Sequence, residues 1–428
     1  MINMRDNLVV MLNILSILFL LTGFLFLFYS FTIYEGQPEK IYVHLSNSTY
    51  HLHGFYNMAK NITRNGFFSD TGCQRDYKFQ PLFTILLLPC IFFKMDPVVY
   101  VNFLLVLFRV LTIIPLTFFL RKFINLRYSM VVSTAIILTA PLYYEPAVGY
   151  YYYTFGSLFG LLFACFILKL YEDKTLLSSL LFALLITTHP VAFLLIPSVF
   201  YWFYINHKHM REYLKFLILP SLLPMIWFVR NGMVHGFTIN GIFGGYHGFR
   251  YLNYIQPGFI PSKIHYMLTF GTRITFVSWF FITLILIFPV LTYFLPSNRL
   301  KKIMKTFTLN LFILLPTIFY YKTVEPTWKY IALLSPVYIT LFFISCIILF
   351  KPVLKKHFHI HRSVNKKSIL VNGFVYSSIV FIAMFIFLYY FFGFTTNVWD
   401  WSFSLTLSGF LMLLNVFLYY GYHSSGGF

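Results

Sequence analysis

Apolar residues in this chain fall in long runs broken by short polar stretches, not at the alternating or 3.6-residue spacing of half-buried elements. A helix needs about 20 apolar residues to cross the hydrocarbon core of a bilayer. Runs that reach or approach that length cover 8–33, 98–120, 128–144, 152–170, 175–189, 191–206, 214–229, 273–296, 305–321, 329–350, 369–391 and 402–420. The pattern predicts an all-α integral membrane protein with about twelve transmembrane helices. The runs 175–189 and 191–206 are short and meet at His189-Pro190, so one broken helix is the alternative there. The first run is too long for a signal-peptide core and shows no small-residue cleavage site, which reads as a retained anchor.

Two outer loops are long, 35–97 and 230–272, and function is expected in them because a scaffold of spans needs only short turns. Within the first, Phe55, Met58, Ala59 and Ile62 recur at helical spacing. Lys60 and Arg64 take the other face, and Gly66 supplies a stop. The reading is a short amphipathic helix lying on the membrane surface. A second interfacial helix is expected from Gln80 to Lys94, with Pro81 in its permitted first turn.

Composition agrees with a lipid solvent. Only 10% of the 428 residues are charged, against about a quarter in soluble domains, and the mean hydropathy is +0.75. The aromatic excess, 22%, suits lipid-facing and headgroup-level positions, although an AT-rich coding sequence favours the same residues. A net charge of +20 would suggest nucleic acid in a soluble protein. Here the basic residues sit in short loops between apolar runs, the positive-inside pattern, and no nucleic acid is expected. Arg121, Lys122, Lys169, Lys174, Lys208, Arg211, Arg299 and the 351–368 loop fall on one side, and most acids on the other. The expected topology is one polytopic domain with cytoplasmic termini, in the plasma membrane or endoplasmic reticulum.

Several residues are candidates for chemistry. Asp70 and Asp76 lie between the two interfacial helices, at a depth where a partly desolvated carboxylate can act as a base; solvating the loop is the alternative. Arg230 ends a span on the outer side, where a guanidinium can hold a phosphate at two points or simply anchor the helix in the interface. His189 and Lys329 have the same two readings. Arg109 falls mid-span and needs a partner, for which Glu145 is a candidate. Cys73 and Cys90 have no spacing that demands a disulfide. No residue set indicates a metal, and a divalent cation stays open.

Four patterns occur in order: the helix His53-Gly-Phe-Tyr56 to Gly66 followed by Gln80-Pro81-Leu82, then Thr188-His189-Pro190, then Trp227-Phe-Val-Arg230-Asn231, then Trp328-Lys329-Tyr330. With the long first outer loop, residues 8–350 resemble the C-type glycosyltransferases, the multi-span enzymes that use polyprenyl-phosphate-linked sugars, including the protein mannosyltransferase and aminoarabinose transferase branches. The resemblance implies substrate contacts from Tyr56, His189, Arg230, Asn231 and Lys329, with membrane lipid and a polyprenyl-phosphate sugar as partners. Lys329-Tyr330 stands where the family has Arg-Tyr, keeping the charge without the fork. Where the family carries an acidic pair before the tyrosine helix, this chain reads Thr49-Tyr50-His51-Leu52-His53. The base role then falls to Asp70 and Asp76, next to Glu145, and last to Glu39. The expected function is sugar transfer on the non-cytoplasmic side to a lipid, glycan or protein. The alternatives are a non-catalytic subunit partnered by other membrane proteins, and a lipid or solute transporter.

Overall fold

The computed structural model describes residues 55–66, 81–95, 97–124, 126–139, 150–237, 272–296, 298–320, 334 and 336–349. Every regular element among them is helical. In chain order they are α1 (55–65), α2 (Pro81–Leu86), α3 (Leu88–Phe92), α4 (Pro97–Leu120), α5 (Leu126–Thr139), α6 (Tyr150–Tyr171) and α7 (Thr175–Thr188). A 3₁₀ segment, Pro190–Leu195, leads into α8 (Ile196–Ile205). Then come α9 (Met210–His235), α10 (Thr272–Phe294), α11 (Arg299–Tyr320) and α12 (Pro336–Leu349). The expected spans at 8–33, 369–391 and 402–420 lie outside the described residues.

The helices run antiparallel between two chemically different ends. One is built from the turns α4–α5, α6–α7, α8–α9 and α10–α11, and ion pairs tie these together. Glu172 Oε1 takes Lys122 Nζ at 3.2 Å and its Oε2 takes Lys169 Nζ at 2.7 Å. Asp173 binds Lys208 through one oxygen at 3.0 Å and Arg299 through the other at 2.5 Å. The Arg299 guanidinium also lies 4.8 Å from the centroid of the Tyr171 ring. Hydrogen bonds from Lys169 and then Lys122 hold the Glu172 carboxyl below the ordinary glutamate range. The basic loops among the described residues thus converge on one end of the bundle.

Three helices end in the same backbone device. Asp173, His207 and Lys94 adopt φ of 59°, 52° and 52°. Around each, the next residue's N–H reaches back five positions to a carbonyl: Lys174 to Lys169, Lys208 to Phe203 and Met95 to Cys90. These are Schellman closures made with side chains where glycine is favoured.

A single large core joins α4 to α12. Phe163 of α6 packs edge-on against Phe307 of α11 at 5.9 Å, and Phe307 against Tyr338 of α12 at 5.4 Å. The stretch around His189-Pro190 is a hairpin and not one broken helix. Thr175 starts α7 at the basic end, and α8 returns there, with Lys208 on Asp173 and Lys302 of α11 on the Asn206 side-chain oxygen. His189 turns the chain in an extended conformation, φ −154° and ψ 137°. In the returning limb Asn310 of α11 donates to the Leu194 carbonyl at 3.2 Å, and the buried Tyr338 hydroxyl bonds the Asn310 oxygen.

The second interfacial helix also differs from expectation. It forms two pieces, α2 and α3, with Leu87 between them. Pro89 has no N–H to continue the ladder, which breaks the helix at that point.

Candidate functional site

The end opposite the ion pairs is assembled from α1, α2, α3, the start of α4 and the last turns of α9. Phe55, Met58 and Ala59 of α1 are fully buried against Phe83, Leu87, Val101 and Trp227. Phe55 meets the Phe83 ring edge-on at 5.0 Å, and the Thr84 hydroxyl donates to Met58 Sδ at 3.4 Å. The face read from the sequence is the face that packs. Arg64 on the other side is exposed, and Gly66 ends the helix with φ +89°. What those residues cover is a neighbouring helix end.

That helix end carries the site. Its buried line is Phe216, Pro220, Pro224, Trp227 and Arg230, spaced three or four apart, with Asn231 buried beside Arg230. Pro220 cannot donate to the Phe216 carbonyl, and the Ser179 hydroxyl of α7 takes that carbonyl at 2.6 Å. The bond fixes α9 against α7, and both run from the basic end towards the site. His189, which follows α7, therefore turns the chain at the site end and is half-buried.

Arg230 is fully buried and Asn231 almost so. The guanidinium lies 5.0 Å from the centroid of Trp227, one turn earlier on the same face. Its Nη1 donates to Asn231 Oδ1 at 3.1 Å. A snorkelling anchor keeps its head in water or among headgroups; this head is enclosed. A buried guanidinium keeps its charge and presents its donors in a fixed fork whose geometry matches the paired oxygens of an anion. Tyr56 is partly buried and packs against the cluster that contains Trp227, so it stands beside the arginine's platform. Four of the sequence candidates, Tyr56, His189, Arg230 and Asn231, thus share one end of the bundle. Asp70, Asp76, Glu145 and Lys329 lie outside the described residues, as do Glu39 and the His51/His53 pair.

Among the described residues the acids are Glu172, Asp173 and Glu212. All three belong to the opposite end and are ion-paired, Glu212 with Lys215 at 2.6 Å. The same residues hold no group of three potential metal ligands. Cys90 is a buried thiol that donates to the Met95 carbonyl at 3.2 Å. Arg109, midway along α4, is buried and its Nε donates to Ser157 of α6 at 3.3 Å. A hydroxyl thus stands where the sequence pointed to an acid, and Glu145 lies outside the described residues. Trp227, part of the third sequence pattern, stands three residues before Arg230, which puts both on one helical face.

Comparison with protein-family models, with curated proteins and with solved structures finds no match.

Proposed function

We propose that this chain is a multi-pass membrane glycosyltransferase that takes a sugar from a polyprenyl-phosphate donor. The observation that carries the reading is Arg230, a fully buried guanidinium seated on Trp227 and bonded to Asn231 near the end of a long apolar helix. A bilayer is the solvent that fits the outside of that helix. Met210–Val234 is long and apolar enough to cross a membrane. Leu214, Ile218, Leu222, Met225, Val229 and Met233 are all exposed along it. In water such a continuous apolar stripe would be an aggregation liability. α4, α6, α10 and α11, with 22 to 24 residues, measure roughly 33–36 Å at 1.5 Å per residue. By length alone that spans a hydrocarbon core of about 30 Å with some tilt, while among the described residues Met210–Val234 is the one helix both long and apolar enough to cross.

In the proposed reaction a carboxylate takes the proton of the acceptor hydroxyl. The acceptor oxygen then bonds to the anomeric carbon while the bond from that carbon to the phosphate oxygen breaks. The electron pair leaves on the phosphate, whose growing charge Arg230 stabilises in a site that excludes water. Lys329 and His189 are the further contacts to the phosphate, and Tyr56 is a further substrate contact. The base comes from Asp70, Asp76 or Glu145. The test is incubation of the purified chain with labelled polyprenyl-phosphate sugars: turnover in the wild type, lost in Arg230→Ala, is the expected result. No turnover with any donor overturns it.

One observation favours a second reading, a non-catalytic subunit of a membrane assembly. Every described carboxylate sits at the end away from Arg230 and is already ion-paired. Under that reading Arg230 holds a lipid phosphate without turnover, and donor binding survives where transfer is absent.

A further inference from the structure

We infer that the basic end carries a seat for an anionic phospholipid, formed by Lys174 and Arg211 above the apolar face of α7 and α9. The inference rests on the membrane reading above but not on catalysis. The described acids at this end are taken: Glu172 by Lys122 and Lys169, Asp173 by Lys208 and Arg299, Glu212 by Lys215. Lys302 bonds Asn206, and Lys301 caps the carbonyls of Tyr293 and Leu295 at the end of α10. Lys174 and Arg211 are exposed and make no ion pair among the described residues.

They also stand together. Lys174 precedes Thr175, whose side chain hydrogen-bonds Glu212, the residue after Arg211. One turn further along, Ser179 of α7 binds the Phe216 carbonyl of α9, so the two helices leave this point side by side. Below the two cations the surface is apolar. α7 exposes Leu176, Leu177 and Leu180, and α9 exposes Leu214 and Ile218. The stripe on α9 continues to Val229, roughly 22 Å from Leu214 at 1.5 Å per residue. Paired free cations at the head of a long apolar strip complement one molecule in both halves: a lipid with a negative headgroup and acyl chains. Each cation near an anionic headgroup is worth about a fivefold preference.

The test uses the full chain in nanodiscs of neutral phosphatidylcholine, into which phosphatidylglycerol is titrated, with bound lipid counted by native mass spectrometry. The expected result is at least about tenfold preference for the anionic lipid in the wild type, mostly lost in the Lys174→Gln/Arg211→Gln double variant. An Arg121→Gln/Lys305→Gln variant, which removes two other exposed cations, should keep it. Equal binding of the two lipids by the wild type overturns the inference, and so does full retention in the Lys174/Arg211 variant. Inorganic phosphate that competes the lipid away at millimolar concentration also overturns it, since the acyl chains would then contribute nothing. Melting in phosphatidylcholine alone checks that the variants fold. Failure of the membrane reading shows separately, as a chain that stays soluble and folded without detergent or lipid.

Discussion

The two ends of the bundle are held by opposite means. At one, five basic side chains close on Glu172, Asp173 and Glu212 across four turns, with the charges at least partly exposed to solvent. At the other, α1, α2 and α3 close by apolar contact around Trp227, and one guanidinium is fully buried over that ring. Exposed ion pairs contribute about 0.2–1 kcal/mol each and tolerate loss. A buried cation is costly unless its surroundings supply partners or a ligand does. The two ends therefore differ in how much the loss of one charged group should cost.

The largest expected effects fall at the apolar end. Arg230→Ala should lower sugar transfer by about 10²–10³-fold, the usual worth of one preorganised group on developing charge. Arg230→Lys should recover only part of this, because a point charge replaces a fork. Donor turnover measured for both variants, with no change in melting attributable to the basic end, checks the contrast. Equal turnover in the wild type and Arg230→Ala would move the phosphate to another cation.

Next in size is Trp227→Ala. Truncating a large buried aromatic costs about 3–5 kcal/mol, and here it also removes the ring under Arg230. Hydrogen exchange should rise in 55–65 and 81–92 while α10 and α11 stay protected. Uniform loss of protection would mean the two ends are not separable.

How much of this was legible in the sequence differs between the ends. The face of α1 and its stop at Gly66 follow from local spacing and from a residue free to take φ +89°. The convergence of basic loops follows from a rule that acts loop by loop. The hairpin at His189-Pro190 was ambiguous because its return limb looked too short. A 3₁₀ stretch of six residues at about 2.0 Å each gives the length back. The partner that makes this stretch tolerable, Asn310, is 116 residues away from Leu194 and has no local signal. Ser157 is invisible for the same reason, since a hydroxyl on another helix leaves no pattern around Arg109. Burial of Arg230 required the tertiary structure, because a span-end arginine reads equally as an anchor.

Ser179→Ala tests what links the ends. It should cost about 1 kcal/mol by orphaning the Phe216 carbonyl that Pro220 already deprives of a helical partner. Pro220→Ala restores that N–H, so the double variant Ser179→Ala/Pro220→Ala should lose less than Ser179→Ala alone. A double-mutant cycle on thermal melting reads the coupling directly. Additive costs would show that the carbonyl is satisfied some other way. A gain of roughly 0.5–1 kcal/mol is expected for His207→Gly, which relieves φ 52° in the turn before Lys208.

The smallest effect belongs to the ion-paired end and depends on pH. Glu172 is held below the ordinary glutamate range by the hydrogen bonds of Lys169 and Lys122. The unfolded chain titrates this group near pH ~4.3 and binds its proton more tightly than the folded one. Its contribution is therefore fully present above that range and is lost as pH falls through the lower folded value. Glu172→Gln should melt slightly below the wild type by a constant margin between pH 5.5 and 7.5, roughly the window above the unfolded titration. The margin should shrink below pH ~4.3 as the wild-type carboxyl takes up its proton. Tyr171 and Arg299 still stack after the substitution, and Asp173 keeps both its partners, so the turn should remain closed. Sugar transfer at neutral pH should be unaffected, since Arg230 lies at the other end of α9. If transfer falls with the ion pair, the two ends are coupled through the helices that join them. If the margin stays constant down to pH ~3, the pairs on Glu172 contribute nothing that the folded state depends on.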